Sequence, residues 1–161
     1  EGAQATLTPH AGSYDVAFVV ADGLSARAVQ THAQPVLAGA VPVLRAEGWR
    51  IAPVVIAREG RVAIGDAIAT LLGADCVATL IGERPGLTAP DSMGAYLTWH
   101  PHAGTTDAGR NCISNIRPDG IGYADAAFKL IHLLRNMRAR RLSGVALKDC
   151  SDRLLISPPE P

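Results

Sequence analysis

Residues whose types and spacing could do chemistry fall in a few short stretches of this 161-residue chain. Gly82-Glu83-Arg84-Pro85-Gly86 holds a charged pair between glycines and a proline, directly after an apolar run. Such a loop is rigid and offers backbone amides and a carboxylate to a polar ligand; its plainer reading is a turn after a strand with solvated charges. Asp22-Gly23-Leu24-Ser25 poses the same choice, and there a Ser cap at a helix start is the plainer reading. Thr105-Thr106-Asp107 to Asn111-Cys112-Ile113-Ser114-Asn115 is the densest polar segment, with hydroxyls, amides, Arg110 and a thiol that could line a site for a ligand rich in acceptors. As a nucleophile Cys112 needs a base to form thiolate, and no His lies in its segment. Two readings stay open: a His arriving from elsewhere in the fold, or a small thiol packed against a ligand. His100-Pro101-His102 puts two imidazoles on one side of an extended segment, but no carboxylate or thiol stands at a matching interval, so a zinc site is unsupported. Neither a Gly-x-Gly-x-x-Gly after the first strand nor a phosphate-binding Gly-x-x-x-x-Gly-Lys-Ser/Thr loop is present, which removes the usual nicotinamide and ATP loops.

Composition narrows the class. Fifteen Lys and Arg balance fifteen Asp and Glu, 48% of residues are hydrophobic and 19% charged. That balance argues against a broad electrostatic footprint for nucleic acid or an anionic membrane, and the abundance of Leu, Ile, Val and Ala argues against disorder. The length suits one domain with a real core. Three widely spaced cysteines, Cys76, Cys112 and Cys150, form no disulfide framework and fit a reducing, cytosolic compartment. The longest apolar stretches are too short and too broken by Gly and Pro to span a membrane. The chain begins at Glu1 rather than Met, which reads as a fragment or a processed form. Residues 1–14 and 151–161 read as flexible ends around one domain over 15–150.

The elements that must position these residues alternate strand and helix. Asp15–Ala21 is a continuous Val-rich run, as in a central strand covered on both sides. Ser25 can cap a following helix that Gly48 stops, with Pro35 and Pro42 predicting a kink or two consecutive helices. Ile51–Ala57 is a second strand, Asp66 caps a short helix ending at Gly73, and Cys76–Ile81 is a third buried strand. Ala95–Trp99 and Cys112–Ile116 read as strands, Tyr123–Arg141 as the best helix, and Val145–Leu147 as an edge strand. The four arginines ending that helix complement its dipole, which explains them more simply than nucleic acid does. The fold class is α/β with a mostly parallel central sheet covered on both faces. Ligands then sit beyond the carboxyl ends of the strands, which selects the loops at Asp22–Ser25 and Gly82–Gly86.

From Asp15 to Asp149 the sequence resembles the small subunit of adenosylcobalamin-dependent ethanolamine ammonia-lyase. The resemblance rests on Ala21-Asp-Gly-Leu-Ser25, Glu59-Gly-Arg-Val62, Gly82-Glu-Arg-Pro-Gly-Leu87, Asp91-Ser92 followed by Tyr96, Thr105-Thr106, Arg110-Asn-Cys-Ile-Ser-Asn-Ile116, a long helix, and Leu142-Ser-Gly-Val145. It implies a three-layer Rossmann-like domain that covers adenosylcobalamin at the interface with a TIM-barrel large subunit. The implied reaction is the radical conversion of ethanolamine to acetaldehyde and ammonia, in the cytoplasm and in places inside a bacterial ethanolamine-utilisation microcompartment. The implied cofactor-binding residues are Val62, Glu83 and Cys112, with no catalytic residue and no metal ligand on this chain. None of the five histidines lies in an Asp-x-His-x-x-Gly motif, so the resemblance implies that cobalamin keeps its own dimethylbenzimidazole on cobalt. Two other classes compete: a stand-alone small-molecule enzyme using Cys112, and a non-catalytic assembly module.

Overall fold

Strand β1, Tyr14–Ala21, is apolar from Val16 to Ala21 because both of its sides are covered there: Val16 and Phe18 join one apolar cluster, Ala17 and Val19 the other. The computed structural model describes residues 2–152, so most of the tail expected over 151–161 lies outside the described residues. Strands β2 (Val55–Ala57), β3 (Ala74–Gly82), β4 (Met93–Trp99) and β5 (Arg110–Ile116) complete a five-stranded sheet in the order β2-β1-β3-β4-β5. β1 runs parallel to β2 and β3, whereas β4 is antiparallel to both β3 and β5.

The sheet is therefore mixed, not mostly parallel as the sequence predicted. An apolar strand covered on both sides reads the same in either direction. The direction is set by the connection: residues 83–92 join β3 to β4 without a crossover helix, and a return without a crossover reverses the chain. The second strand is also shorter than Ile51–Ala57, since Ile51 makes only an isolated bridge to Val16 and Pro53 has no N–H to give a ladder.

Helix α1 (Gly2–Leu7) and helix α3 (Ile64–Leu72) lie on one side of the sheet, where Leu7, Ile68 and Leu72 meet Ala17, Val19 and Val77. Helices α2 (Ala26–Ala46) and α4 (Tyr123–Arg140) cover the other side and pack on each other. α2 is one continuous helix through Pro35 and Pro42, where a kink or a break was expected. Its buried stripe of Val29, Ala33, Val36, Ala40 and Leu44 carries it past two missing backbone donors. Ser25 caps it as anticipated, accepting from the Ala28 N–H at 3.3 Å.

Val145–Leu147 is not a strand: Gly144–Ala146 forms a 3₁₀ turn. Asn111 on β5 fixes it, accepting from the Gly144 N–H at 2.6 Å and donating to the Leu147 carbonyl at 2.9 Å. The arginines near the end of α4 have local partners, since Arg135 bonds Glu47 and Arg138 lies 4.0 Å over the Trp49 ring. Among the described residues no helix is long and apolar enough to cross a membrane.

Candidate functional site

The site begins with an incomplete layer. α3 packs chiefly on β3 and β1, so closely that a Cβ at Gly65 would come within 2.0 Å of Thr79 Oγ1. Towards the other edge, the same face of the sheet presents Gly94 and Tyr96 of β4 and Cys112 of β5, with a hollow of about 650 Å³ over β4. Val62, Glu83, Tyr96, Asp107 and Arg110 all line it, and Leu24, 44% exposed, stands on its rim.

The turn bearing Val62 is hung on Asp22. That carboxylate accepts from the N–H groups of Glu59 at 2.8 Å and Gly60 at 3.1 Å, fastening the loop after β1 to the turn after β2. Glu59 takes a left-handed conformation with φ 52°, which the two bonds to Asp22 hold in place. The Glu59 N–H, then that of Gly60, holds the Asp22 carboxyl below its ordinary value against opposing desolvation. A lowered carboxylate pKa contributes stability above the unfolded value and loses it as pH falls through the folded one. Asp22→Asn should therefore be less stable than the parent at neutral pH, and the gap should close below about pH 4. Urea midpoints across that range check this; a gap that stays constant with pH contradicts it.

Glu83 owes its position to a bulge. Met93 pairs with Ile116 and Ala95 with Ile113, so β5 carries one residue more than β4 between these pairs. At the bulge Asn115 turns left-handed, with φ 57°, and its N–H leaves the ladder to donate to Glu83 Oε2 at 3.1 Å. The carboxylate crosses β4 over Gly94, where a Cβ would stand 3.0 Å from Glu83 Oε1. The loop that carries Glu83 is closed at its base by the Glu83 N–H to the Ser92 carbonyl, 3.0 Å, while Asp91 faces Nε2 of the buried His32 at 3.7 Å.

Arg110 closes the far end. Its Nη1 and Nη2 donate to Asp66 Oδ1 and Oδ2 at 2.7 and 2.6 Å, Nη1 also to Thr98 Oγ1 at 3.1 Å, and Nη2 also to the Thr105 carbonyl at 3.0 Å. Both charged side chains are about 95% buried, at 4% and 5% exposure, and the bidentate bond to Asp66 raises the Arg110 pKa further. Asp66 thus sits inside the first turn of α3 as an ion-pair partner, not as the cap the sequence predicted. Arg110 Nε is buried without a partner, 3.9 Å from the exposed Asp107 carboxylate.

Of the residues singled out by resemblance, Val62 and Glu83 line the same hollow. Cys112 is an exposed residue beside it, paired across the strands with Tyr96. Desolvation pushes the Cys112 thiol above its ordinary value; a hydrogen bond with Tyr96 opposes this, and the Glu83 and Asp107 carboxylates add to it. Thiolate is disfavoured there, which suits a contact and not a nucleophile. Desolvation, with the Cys112 thiol and the Glu83 carboxylate adding to it, pushes Tyr96 up to about 12, so its hydroxyl stays neutral. Among the described residues no group of three or more His, Cys, Asp or Glu could hold a metal ion.

Tyr96, Asp66 and Thr98 went unrecognised as site residues. The available signal was the alternation Met93-Gly-Ala-Tyr-Leu-Thr-Trp99, which puts Gly94, Tyr96 and Thr98 on one face and Met93, Ala95 and Leu97 in the core. Chemically the hollow is mixed: the Glu83 carboxylate fixed by Asn115, the Asp107 carboxylate, the guanidinium groups of Arg61, Arg84 and Arg110, the neutral Tyr96 hydroxyl, and apolar Val62 and Leu24.

Comparison with known proteins identifies the family. The family model for ethanolamine ammonia-lyase light chain (EutC) matches residues 1–148. The chain is 54% identical over 143 residues to the ethanolamine ammonia-lyase small subunit of Ralstonia nicotianae, covering 89% of this chain and 53% of that protein. It is 58% identical over 140 residues to the small subunit of Azotobacter vinelandii, with 87% and 52% covered. With that of Xanthomonas campestris pv. campestris it shares 54% identity over 156 residues, with 97% and 57% covered. The chain spans about half the length of the curated relatives it matches. It belongs to the ethanolamine ammonia-lyase light chain family.

Proposed function

We propose that this chain is the cobalamin-covering, Rossmann-like part of an ethanolamine ammonia-lyase small subunit, seated against a TIM-barrel large subunit that holds the substrate. The observation that carries the reading is the incomplete layer: Glu83 and Val62 converge on a hollow lined by Tyr96 of the sheet face, with Cys112 next to Tyr96 on β5. The donor set fits the group. A corrin is large, apolar in its body and rimmed with amides. Glu83, already fixed by the Asn115 N–H, has acceptor capacity left for amide N–H groups, and a charged acceptor makes the stronger bond. Val62 excludes water at the wall, and the neutral Tyr96 hydroxyl and Cys112 thiol add no charge to the floor.

When bound, adenosylcobalamin supplies the radical by cobalt–carbon homolysis; the protein's contribution is binding, orientation and exclusion of water. This chain contributes no catalytic group in the proposal. A partner subunit is supported by Leu24 and the wholly exposed Leu87 on the loop after β3, apolar side chains at the carboxyl edge that a second surface would cover. A reducing cytoplasmic setting, including a microcompartment, suits the three free thiols. The stand-alone enzyme reading is weaker, because the Cys112 thiol is pushed up and, among the described residues, no histidine lines the hollow.

Mixing the chain with its large subunit, adenosylcobalamin and ethanolamine should give acetaldehyde, and omission of any one component should abolish it. Glu83→Ala should retain cobalamin about tenfold less tightly in that complex, as expected for one charge-assisted hydrogen bond. Unchanged retention, measured by equilibrium dialysis, counts against the assignment.

A further inference from the structure

We propose that Tyr96 is a ligand-contacting residue of the hollow, its ring forming the floor on which the bound corrinoid rests; the inference rests on the cobalamin reading above. β4 is an interior strand, hydrogen-bonded on both sides, and an aromatic side chain at its centre would ordinarily be covered. Tyr96 instead remains partly exposed and lines the hollow, and it belongs to neither apolar cluster. The core does not use its ring.

The neighbours hold that ring in place. Thr79, opposite it on β3, is buried beneath Gly65 of α3, and Cys112 is opposite it on β5. A Cβ at Gly94 would come within 3.3 Å of Tyr96 Cε2 and 3.0 Å of Glu83 Oε1, so the ring and the carboxylate flank one glycine notch. An apolar ring beside a charged acceptor matches a ligand with an apolar body and an amide rim. The hydroxyl, near the Cys112 thiol and held neutral by its raised pKa, brings no second charge beside Glu83.

The chain has three tyrosines, which makes the contact directly observable. Tyr14 lies at the start of β1 and Tyr123 beside His32 on the α2 and α4 side, both away from the hollow. The chain labelled with 3-fluorotyrosine, assembled with unlabelled large subunit, should give three fluorine resonances; the one missing in Tyr96→Phe belongs to Tyr96. Adding cyanocobalamin should move that resonance and leave the other two in place. Tyr96→Ala should weaken cyanocobalamin binding by about tenfold, and Tyr96→Phe by less than about threefold, because the ring provides the contact. A Tyr96 resonance that stays put at saturation, while Glu83→Ala still loses cobalamin, overturns this inference and leaves the cobalamin reading standing. If no resonance moves and Glu83→Ala binds like the parent, both fail together.

Discussion

Arg110→Ala is expected to cost the fold about 3–5 kcal/mol, the usual result of removing one partner from a buried ion pair. In a chain of 161 residues that corresponds to a fall in Tm of roughly 10 °C. The reason lies in what remains. Asp66, 5% exposed, would be left a buried carboxyl without either of its bonds to Arg110, and the Thr105 carbonyl would lose its Nη2 donor. A surface pair provides the contrast. Arg50 also makes a multiple contact, with Asp15, but its side chain is 56% exposed, so Arg50→Ala should cost no more than about 1 kcal/mol.

Replacing both members, as in Asp66→Leu with Arg110→Met, should recover most of the lost stability, because it removes the stranded charge along with its partner. It should not recover the tether on Thr105, so amide exchange over residues 102–109 should remain faster than in the parent. Urea denaturation of the single and double variants checks the first expectation and hydrogen exchange the second. If Arg110→Ala proves as mild as Arg50→Ala, the buried pair is not what holds this end of the hollow.

The pair also shows where sequence reading reached its limit. Arg110 and Asp66 are 44 positions apart, and each had a sufficient local explanation, one as a polar lining residue and the other as a helix cap. Nothing local reports that two charges are buried, because burial depends on the loop 100–109 folding over them. The elements themselves were legible wherever a pattern has a single meaning: β1 from its unbroken Val-rich run, the start of α2 from Ser25, and α4 from its apolar stripe. Strand direction was not, because Met93–Trp99 alternates identically whichever way it runs. The prolines of α2 misled for a related reason. The penalty of each is local and visible in the sequence, whereas the buried stripe that overrides it is a property of the assembled sheet.

The candidate site divides in the same manner. Glu83 stood in a glycine-bounded turn at the carboxyl edge, the place where a ligand is expected in such a sheet, whereas Val62 was indicated by the family resemblance alone; both line the hollow. Tyr96 carries no local signal beyond its place in the alternating strand. Recognising it as the floor required knowing that α3 stops over β3, which is tertiary information.

Gly82→Ala should be the other severe substitution, at about 3 kcal/mol, the upper end for overpacking. A Cβ there would lie 2.1 Å from the Ser25 carbonyl oxygen and 2.6 Å from that of Asp22, and backbone cannot rotate aside as a side chain can. The two loops also share a hydrogen bond, Leu24 N–H to the Gly82 carbonyl at 3.0 Å, so forcing them apart breaks a contact as well as creating a clash. Glu83 is the next residue, and Asp22 holds the turn that carries Val62, so both walls of the hollow would shift together. Gly86→Ala is the matched control. In the same loop a Cβ at Gly86 would meet nothing nearer than the Ala89 oxygen at 4.0 Å, so its stability and its cobalamin retention should equal the parent's. Glu83→Ala should leave stability nearly intact while weakening retention, whereas Gly82→Ala should lose both. Should Gly82→Ala melt like Gly86→Ala and still hold cobalamin, the close approach of these two loops is not what sets the hollow's shape.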